Sequence, residues 1–340
     1  MGQIIKNNAS VKSIATASGV SAATVSRVLN ADPAVKESTR ILVQKNIKKA
    51  GYSLNRVAQR LRTKKKTGRL IGLLIPDIQN PFYVDVIRGI EEIAYANGSA
   101  MVIGNFSQDE DKERVYIDIL RAESVDGFIV APAHGRDHYI EELAMEGYPL
   151  VCIDRGLTNL NVDVVTVDNQ EGAYKATEHL IKLGHRKIAH IHGDKSIPTT
   201  NERILGYKLA LQSYDIPVND KWIVGMSSDF ESGKFYTRKL MTMQDTPTAI
   251  FTGNNLLTLG LLDISYQMKI EIPKMLALVG FDDMYWATSL NPPLTAIRQS
   301  GTAIGRRAVE MLYRQIENPE REPSRVILKT ELMVRKSCGS

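Results

Sequence analysis

Residues 10–30 read S-V-K-S-I-A-T-A-S-G-V-S-A-A-T-V-S-R-V-L-N, and this stretch predicts two short helices joined by a tight turn. Ser10 is a suitable N-cap for the first helix, Gly19 supplies the turn, and Ser21 caps the second helix. Two helices connected in this way form the unit whose second helix enters the DNA major groove. A third helix is predicted over residues 38–50. Its inward-facing residues are expected to be Ile41, Leu42 and Ile47.

The N-terminal part of the chain is also strongly basic. Residues 1–69 contain 15 Lys and Arg but only two acidic residues, a formal charge of +13, whereas the whole chain carries +5. The remainder is therefore acidic. Such an asymmetry between segments indicates a polyanionic partner for the first part, because clustered Lys and Arg neutralise phosphates.

Beyond residue 69, short apolar runs alternate with helical patterns. The first series contains I-G-L-L-I-P, A-M-V-I-G and G-F-I-V-A-P, and a second, which begins near Asn169, contains K-I-A-H-I-H, T-A-I-F-T and L-A-L-V-G-F. Strand, helix and strand in this order predict parallel sheets with right-handed crossovers. We therefore expect an α/β core of two doubly wound parallel-sheet subdomains behind an all-α head.

Polar residues follow several of these apolar runs. Ligands of doubly wound sheets lie beyond the carboxyl ends of the strands, so a cleft between the two halves would collect these side chains. They are Asp77, Asn80, Asp154, Arg155, Asn254 and Asp282. Amides, carboxylates and a guanidinium suit a neutral, hydroxyl-rich molecule, and Phe82 and Phe230 offer flat faces for a sugar or base ring.

Several classes of function find no support. The chain lacks G-x-S-x-G, the phosphate-binding P-loop, G-x-G-x-x-G and H-E-x-x-H, so we expect no enzyme, no catalytic residues and no cofactor. His190 and His192 share one strand face but lack a third ligand, and Cys152 and Cys338 lie far apart, so neither pair predicts a metal site. The start of the chain lacks a signal peptide, and no long apolar span occurs, which predicts a cytoplasmic protein.

The chain resembles the lactose/galactose repressor (LacI/GalR) family along nearly its whole length. The head matches through V-K-S-I-A-T-A-S-G-V-S-A-A-T-V-S-R-V-L-N, A-G-Y and N-R-V-A-Q-R-L-R. The core matches through I-G-L-L-I-P-D-I-Q-N-P-F, V-D-G-F-I-V, L-G-H-R-K-I-A, P-T-A-I-F, V-G-F-D-D, P-P-L-T-A-I-R-Q and T-E-L-M-V-R. The resemblance implies a core like that of periplasmic binding proteins, and a homodimer that reads a pseudo-palindromic operator.

For DNA, the resemblance implies that Ala22, Ala23 and Arg27 face base edges. Arg27 is the only long donor among them and can address guanine bidentately, so we expect it to supply most of the direct readout. The residues assigned to phosphate contacts are Ser21, Thr24, Ser26 and Asn30. Residues 55–62 resemble the family's hinge helix, which wedges a leucine into the minor groove. The matching positions in that segment are Asn55, Ala58 and Leu61.

For the effector, the resemblance places contacts at the polar positions after the strands and adds Arg203. Two departures from the family weaken any transfer of a known effector. Asn201 stands where many members have Arg, and Asn255 replaces the more usual Asp. We include Asn201 among the expected contacts, and His192 as a further lining residue.

Three segments are expected. Residues 1–54 form the helix-turn-helix head, residues 55–68 the hinge helix and basic linker, and residues 69–340 the effector-binding and dimerisation core. Within the core, one subdomain spans about 69–166 and 298–328, and the other about 167–297 and 329–340. The predicted function is a transcriptional repressor controlled by a sugar or sugar phosphate. The alternatives left open are a purine effector, a protein coregulator, a sugar-binding protein without a DNA role, and an enzyme.

Overall fold

The computed structural model describes residues 10–29, 32–50, 68–134 and 137–340. The chain divides into two units, residues 1–66 and residues 67–340. Among the described helices, none is long and apolar enough to cross a membrane.

The described residues of the first unit form three helices. They are α1 (Val11–Ser18), α2 (Ala22–Leu29) and α3 (Glu37–Lys49). Ser10 and Ser13 form a reciprocal capping box at the start of α1, and Gly19 ends the helix in the left-handed conformation with φ +62°. The Ser21 hydroxyl accepts a hydrogen bond from Thr24 N at 3.1 Å and caps α2. The predicted turn and the three predicted helices of the described part are confirmed, with α2 and α3 displaced by about one residue at their ends.

The inward face of α3 differs from the prediction. Val43 is fully buried against the other two helices and Ile47 is partly buried, but Ile41 and Leu42 are 57% and 46% exposed. Residues 43 and 47 are one helical turn apart and share a face, whereas positions 41 and 42 lie well round the helix from it. The prediction was therefore wrong for Ile41 and Leu42.

The second unit contains two six-stranded sheets. The first sheet has the order β11-β5-β4-β3-β1-β2, and all its neighbouring strands are parallel. Its strands are β1 (Leu70–Ile75), β2 (Ala100–Asn105), β3 (Gly127–Val130), β4 (Leu150–Ile153), β5 (Asp163–Val167) and β11 (Arg325–Leu328). Apart from the two edge strands, these segments are almost continuously buried, as expected for a sheet covered on both faces.

The second sheet has the order β12-β10-β9-β8-β6-β7, in which only β12 runs antiparallel to its neighbour. Its strands are β6 (Ile188–His192), β7 (Ile223–Gly225), β8 (Ala249–Thr252), β9 (Ala277–Phe281), β10 (Thr295–Arg298) and β12 (Glu331–Met333). The predicted α/β class with two parallel-sheet halves is confirmed, with β12 as an antiparallel edge.

Helices cover both faces of both sheets. They are α4 (Pro81–Ala96), α5 (Glu110–Ala122), α6 (His138–Met145), α7 (Asn169–Lys182), α8 (Pro198–Ser213), α9 (Phe230–Met241), α10 (Asn255–Gln267) and α11 (Gly301–Glu317), with short 3-10 helices at Asp220–Trp222 and Ala287–Ser289. On the first sheet, α4 and α11 pack on one face and α5 and α6 on the other. On the second, α7 and α8 oppose α9 and α10.

The chain passes between the two sheets three times, after β5, after β10 and after β11. Because of these crossings, α11 packs on the first sheet although the strand before it belongs to the second. The carboxyl ends of the inner strands of both sheets border a shared cavity. The exact boundaries expected for the head, the linker, the core and its two subdomains stay predictions.

Candidate DNA-reading helix and effector cavity

Helix α2 presents a polar, accessible face opposite its buried residues Val25 and Val28. The residues predicted to contact DNA lie on that face: Ser21, Ala22, Ala23 and Arg27 are exposed, and Thr24 and Ser26 are half-buried. The Arg27 side chain is 67% exposed, with its Nε 4.0 Å from the Asp32 carboxylate. So long and weak an ion pair leaves the guanidinium available to another partner.

Part of the predicted DNA contact set lies outside the described residues. These positions are Asn30, Asn55, Ala58 and Leu61. The roles predicted for them stay predictions.

The second unit contains a polar cavity at the carboxyl ends of strands from both sheets. Nine of the eleven residues predicted to contact the effector line it. They are Asp77, Asn80, Phe82, Asp154, Arg155, His192, Arg203, Asn254 and Asp282. This convergence follows from the strand-end rule, because parallel strands of two facing sheets deliver the residues after them to one place. Effector contact by these residues stays a prediction.

Asn201 and Phe230 do not line the cavity. Asn201 is exposed on α8, where its amide donates to Lys195 O at 2.7 Å. Phe230 begins α9, is 37% exposed, and lies beside the Lys234 ammonium, which is 5.3 Å from its ring centroid. Asn201 was expected from the family resemblance and Phe230 from its aromatic face, but each lies on a helix outside the cavity lining.

Two aspartates occupy matching positions after the central strands of the two sheets. Asp154 follows β4 with φ +66°, and Asp282 follows β9 with φ +78°. Left-handed backbone at a residue other than glycine costs free energy and is concentrated at functional sites. Both carboxylates are buried, and burial raises the pKa of Asp282 above its ordinary value.

Each aspartate is held by neighbouring polar groups. Asp154 Oδ2 accepts from Tyr83 Oη at 3.2 Å and from Arg155 Nη1 at 3.0 Å. Asp282 accepts from Gln299 Nε2 at 2.5 Å and from Asn255 N at 3.2 Å. The cavity is thus preorganised by hydrogen bonds within the protein.

The two arginines of the cavity are largely occupied by the protein. Arg155 donates to Pro132 O as well as to Asp154, although its Nη2 is buried without a partner among the described residues. Arg203 donates to Asn169 Oδ1 and to Gly253 O, and its guanidinium lies 3.7 Å from the Phe281 ring centroid. Both guanidinium groups therefore already have acceptors within the protein, so neither is an unpaired positive charge in the cavity.

A direct hydrogen bond joins the two halves of the cavity. Asn255 Nδ2, at the start of α10, donates to Asn80 Oδ1 at 2.7 Å. The same oxygen accepts from Phe82 N at 3.0 Å and so caps α4. Asn80 therefore serves as a helix cap and as one side of a bridge between the halves.

The sequence analysis predicted no effector contact for ten further lining residues. They are Tyr83, Gln108, His190, Gly193, Ile197, Thr199, Thr200, Ser228, Gly253 and Gln299. Of these, His190 could have been predicted, because residues two apart in a strand lie on the same face and His192 was already expected in the lining. No group of three or more His, Cys, Asp or Glu in the described part of the chain is arranged to hold a metal ion. Cys152 and Cys338 are both free and buried.

Family models match both units of the chain. The model described as "Bacterial regulatory proteins, lacI family" matches residues 10–55. The model described as "Periplasmic binding proteins and sugar binding domain of LacI family" matches residues 69–337.

Individual proteins are similar over almost the whole chain. Catabolite control protein A of Priestia megaterium is 33% identical over 97% of this chain and 99% of its own. The HTH-type transcriptional repressor PurR of Haemophilus influenzae (strain PittEE) is 31% identical over 98% of this chain and 99% of its own. The solved complex of the transcriptional regulator CelR with cellobiose has a TM-score of 0.71 and 27% identity, covering 97% of this chain and 100% of that one.

Proposed function

The chain belongs to the LacI family of DNA-binding transcriptional regulators, and from this premise we propose that it is a repressor whose grip on an operator is controlled by a sugar in the cavity of its second unit. The observation that carries the proposal is the combination, in one chain, of an exposed reading helix and a buried polar cavity between two sheets. The head supplies DNA binding, and the cavity supplies a site for a controlling ligand. An enzymatic role is excluded for members of this family.

The mechanism follows from linkage. A ligand that contacts both sheets binds one relative arrangement of the halves better than another, and it shifts DNA affinity only by that difference. Asn80 lines the cavity and also accepts a hydrogen bond from Asn255 of the other half, so a ligand that contacts Asn80 acts directly on a contact between the halves. Whether the sugar releases or tightens the operator depends on which arrangement the DNA-bound protein prefers.

We further propose a homodimer, because one helix-turn-helix reads only half of a pseudo-palindromic site. An exposed apolar edge of the first sheet supports the proposed homodimer. Strand β2 is an edge strand with Val102 and Ile103 exposed, and the helices beside it expose Val84 on α4 and Val115 and Ile119 on α5. An exposed apolar edge strand favours coverage by another chain, and a second copy buries it. With DNA as its target, the protein is proposed to act in the cytoplasm.

A purine is the second candidate effector. One similar protein is named as the PurR repressor, and the cavity contains Phe82 together with Tyr83, whose rings are 5.0 Å apart. An aromatic pair offers a stacking surface for a base as well as for a sugar ring.

The first experiment measures the melting temperature of the full chain with cellobiose, ribose, sugar phosphates and purine bases, because a ligand that binds the native state raises it. In parallel, the protein is used to select duplexes from a random-sequence library. We expect a shift with a sugar, enrichment of a pseudo-palindrome, and a change of affinity for that duplex when the sugar is added. A shift with purines alone would replace the sugar assignment, and failure to enrich any sequence would overturn the repressor proposal.

A further inference from the structure

His190 lies in the cavity wall with one ring nitrogen unused. Its ring is fully buried and stacks on Tyr207 and Phe251, with centroids 5.4 and 4.7 Å away. Nε2 has no hydrogen-bond partner among the described residues. Buried polar atoms in native proteins nearly always have a partner, so one brought by a ligand is expected here.

The hydrogen-bonding character of Nε2 is fixed by the other ring nitrogen. His190 Nδ1 lies 3.0 Å from Phe251 O. A carbonyl oxygen only accepts, so Nδ1 carries the hydrogen and Nε2 is a bare acceptor in the neutral ring. Burial lowers the pKa of His190 to about 3, so the ring stays neutral at physiological pH.

His192 repeats this arrangement two residues further along β6. Its Nδ1 lies 2.7 Å from Gly193 O, which again assigns the hydrogen to Nδ1 and leaves Nε2 as an acceptor. Burial lowers the pKa of this histidine too. The two ring centroids are 6.1 Å apart, so one strand contributes two neutral acceptors to the cavity wall.

Most of the other lining atoms without a hydrogen-bond partner in the described residues are also acceptors. Gln299 gives its amide hydrogen to Asp282, and its buried Oε1 has no partner in the described part of the chain. Asp77 and Asp154 add carboxylate oxygens to the lining. Among the buried lining atoms without a partner in the described residues, the donor is Arg155 Nη2. Some lining side chains can donate as well as accept: Gln108, Thr199, Thr200 and Ser228. A ligand that fills this cavity must therefore donate several hydrogen bonds and accept a few.

The charged side chains of the lining also favour a ligand that donates hydrogen bonds and carries no negative charge. Three aspartates line the cavity, whereas its two arginines already bind Asp154, a side-chain amide and backbone carbonyls. A sugar hydroxyl donates one hydrogen and accepts two, which suits such a lining. A phosphate ester carries about −1.5 to −2 charges at neutral pH and offers acceptors almost exclusively.

We propose that His190 and His192 make the cavity selective for an uncharged, hydroxyl-rich sugar and against its phosphate ester. The inference rests on the proposed function, because it concerns the ligand of the same cavity. It assigns to His190 a role in specificity, by accepting a hydrogen bond from the ligand.

The test measures binding to the full chain by calorimetry, using ribose, glucose and cellobiose, each against its own phosphate ester. We expect at least one free sugar to bind, with its ester about 100-fold weaker because like charges are placed together. His190→Asn keeps an amide donor near Phe251 O but has no atom at the Nε2 position, and should weaken sugar binding about tenfold. His190→Gln reaches further, restores an acceptor there, and should recover part of the loss.

His185→Asn is the matched control, since His185 lies outside the cavity and pairs with Thr248. It should leave sugar affinity unchanged. If His190→Asn does not fold, as judged from its melting curve, His192→Asn takes its place with the same expected loss. The inference is overturned by an ester that binds as tightly as its sugar, or by equal affinities of the His190→Asn and unsubstituted proteins. Binding of none of the sugars would instead overturn the proposed effector class.

Discussion

Glu113 is a carboxyl group in the core of the first sheet's subdomain, with no exposed surface. Neither of its oxygens has a donor among the described residues. Burial, and then the neighbouring Asp137 carboxyl, raise the pKa of Glu113 to about 10. Asp137 caps α6 by accepting from Ile140 N at 3.2 Å. Glu113 is protonated at neutral pH, because its pKa lies well above 7.

The raised pKa of Glu113 makes the free energy of unfolding decrease as the pH rises. The unfolded carboxyl titrates near its ordinary value of 4.5 and the folded one near about 10, so between these values the folded state binds more protons. The free energy of unfolding contributed by Glu113 is fully present below pH 4.5 and is lost as pH rises toward about 10. The loss amounts to about 1.4 kcal/mol per pH unit above pH 4.5, so Glu113→Gln, which removes it, should stabilise the protein by on the order of 5 kcal/mol at pH 8 and by less than about 1 kcal/mol at pH 5.

Melting curves of Glu113→Gln at the two pH values check this expectation. Glu123→Gln, at an exposed position just beyond the end of α5, is the control and should change neither curve. An equal gain at both pH values would show that the effect is packing and not proton linkage.

Arg27 is the residue on which DNA specificity is expected to depend. It is the only long hydrogen-bond donor among the three residues predicted to face bases, and its side chain is largely exposed. Arg27→Ala should weaken binding to the selected duplex by about 1–3 kcal/mol while leaving random DNA nearly unaffected. Titration of both duplexes at one salt concentration measures the difference. An equal loss on both would assign Arg27 to phosphate contact.

At the scale of elements, the helices of each subdomain are held close by small residues. Where α7 and α8 cross, a Cβ on Gly206 would collide with the Gln170 carbonyl oxygen and would lie 3.0 Å from the Ala173 methyl group. Gly89 and Gly305 serve α4 and α11 in the same way. Close approach of backbones, and not turn geometry, is what requires glycine at these positions.

Gly206→Ala should therefore destabilise the protein although alanine favours helix formation. The steric cost of forcing α7 and α8 apart is about 1–3 kcal/mol, which exceeds the gain in helix propensity of about 1 kcal/mol. Chemical denaturation measures the difference in the free energy of unfolding. Ser213→Ala, at the exposed end of the same helix, is the control and should be nearly neutral. Stabilisation by Gly206→Ala would contradict this account of the packing.

At the scale of the whole second unit, the relative position of the two sheets is the variable that a ligand controls. Three chain crossings connect the two halves, and side-chain hydrogen bonds also link them. The hydrogen bond from Asn255 to Asn80 is one, and that from Ser196 to His134, 3.1 Å long, is another. We call the arrangement in which these hydrogen bonds are formed the closed one, and the two bonds stabilise it without a ligand.

Asn255→Ala removes the first bridge while keeping the backbone hydrogen bond to Asp282. A hydrogen bond contributes about 1 kcal/mol, so the ratio of open to closed molecules should rise about fivefold. Small-angle X-ray scattering of the ligand-free protein should show a larger radius of gyration, which saturating sugar reverses. Asn318→Ala, at the end of α11, is the control. An unchanged radius would mean that other contacts set the closure.

The sequence by itself determined the fold class and predicted where both candidate sites lie. Capping residues and the period of apolar positions placed α1 and α2, and alternating apolar runs placed the parallel sheets. These features are local, because a helix cap or a buried strand depends on residues a few positions apart. The family resemblance, confirmed by the similar proteins, extended this to DNA binding and a ligand-controlled core.

Only the tertiary structure decided which side chains share the cavity. Asn201, expected from the family resemblance, and Phe230, expected from its aromatic face, lie outside the cavity, whereas Asp154 and Asp282 line it. The sequence placed His190 on one strand face with His192, but its unused acceptor became apparent only from the structure, in which Phe251 O holds the other ring nitrogen. The physical reason is that a side chain's direction depends on the rotation of its whole element against distant neighbours, and sequence spacing does not encode that rotation.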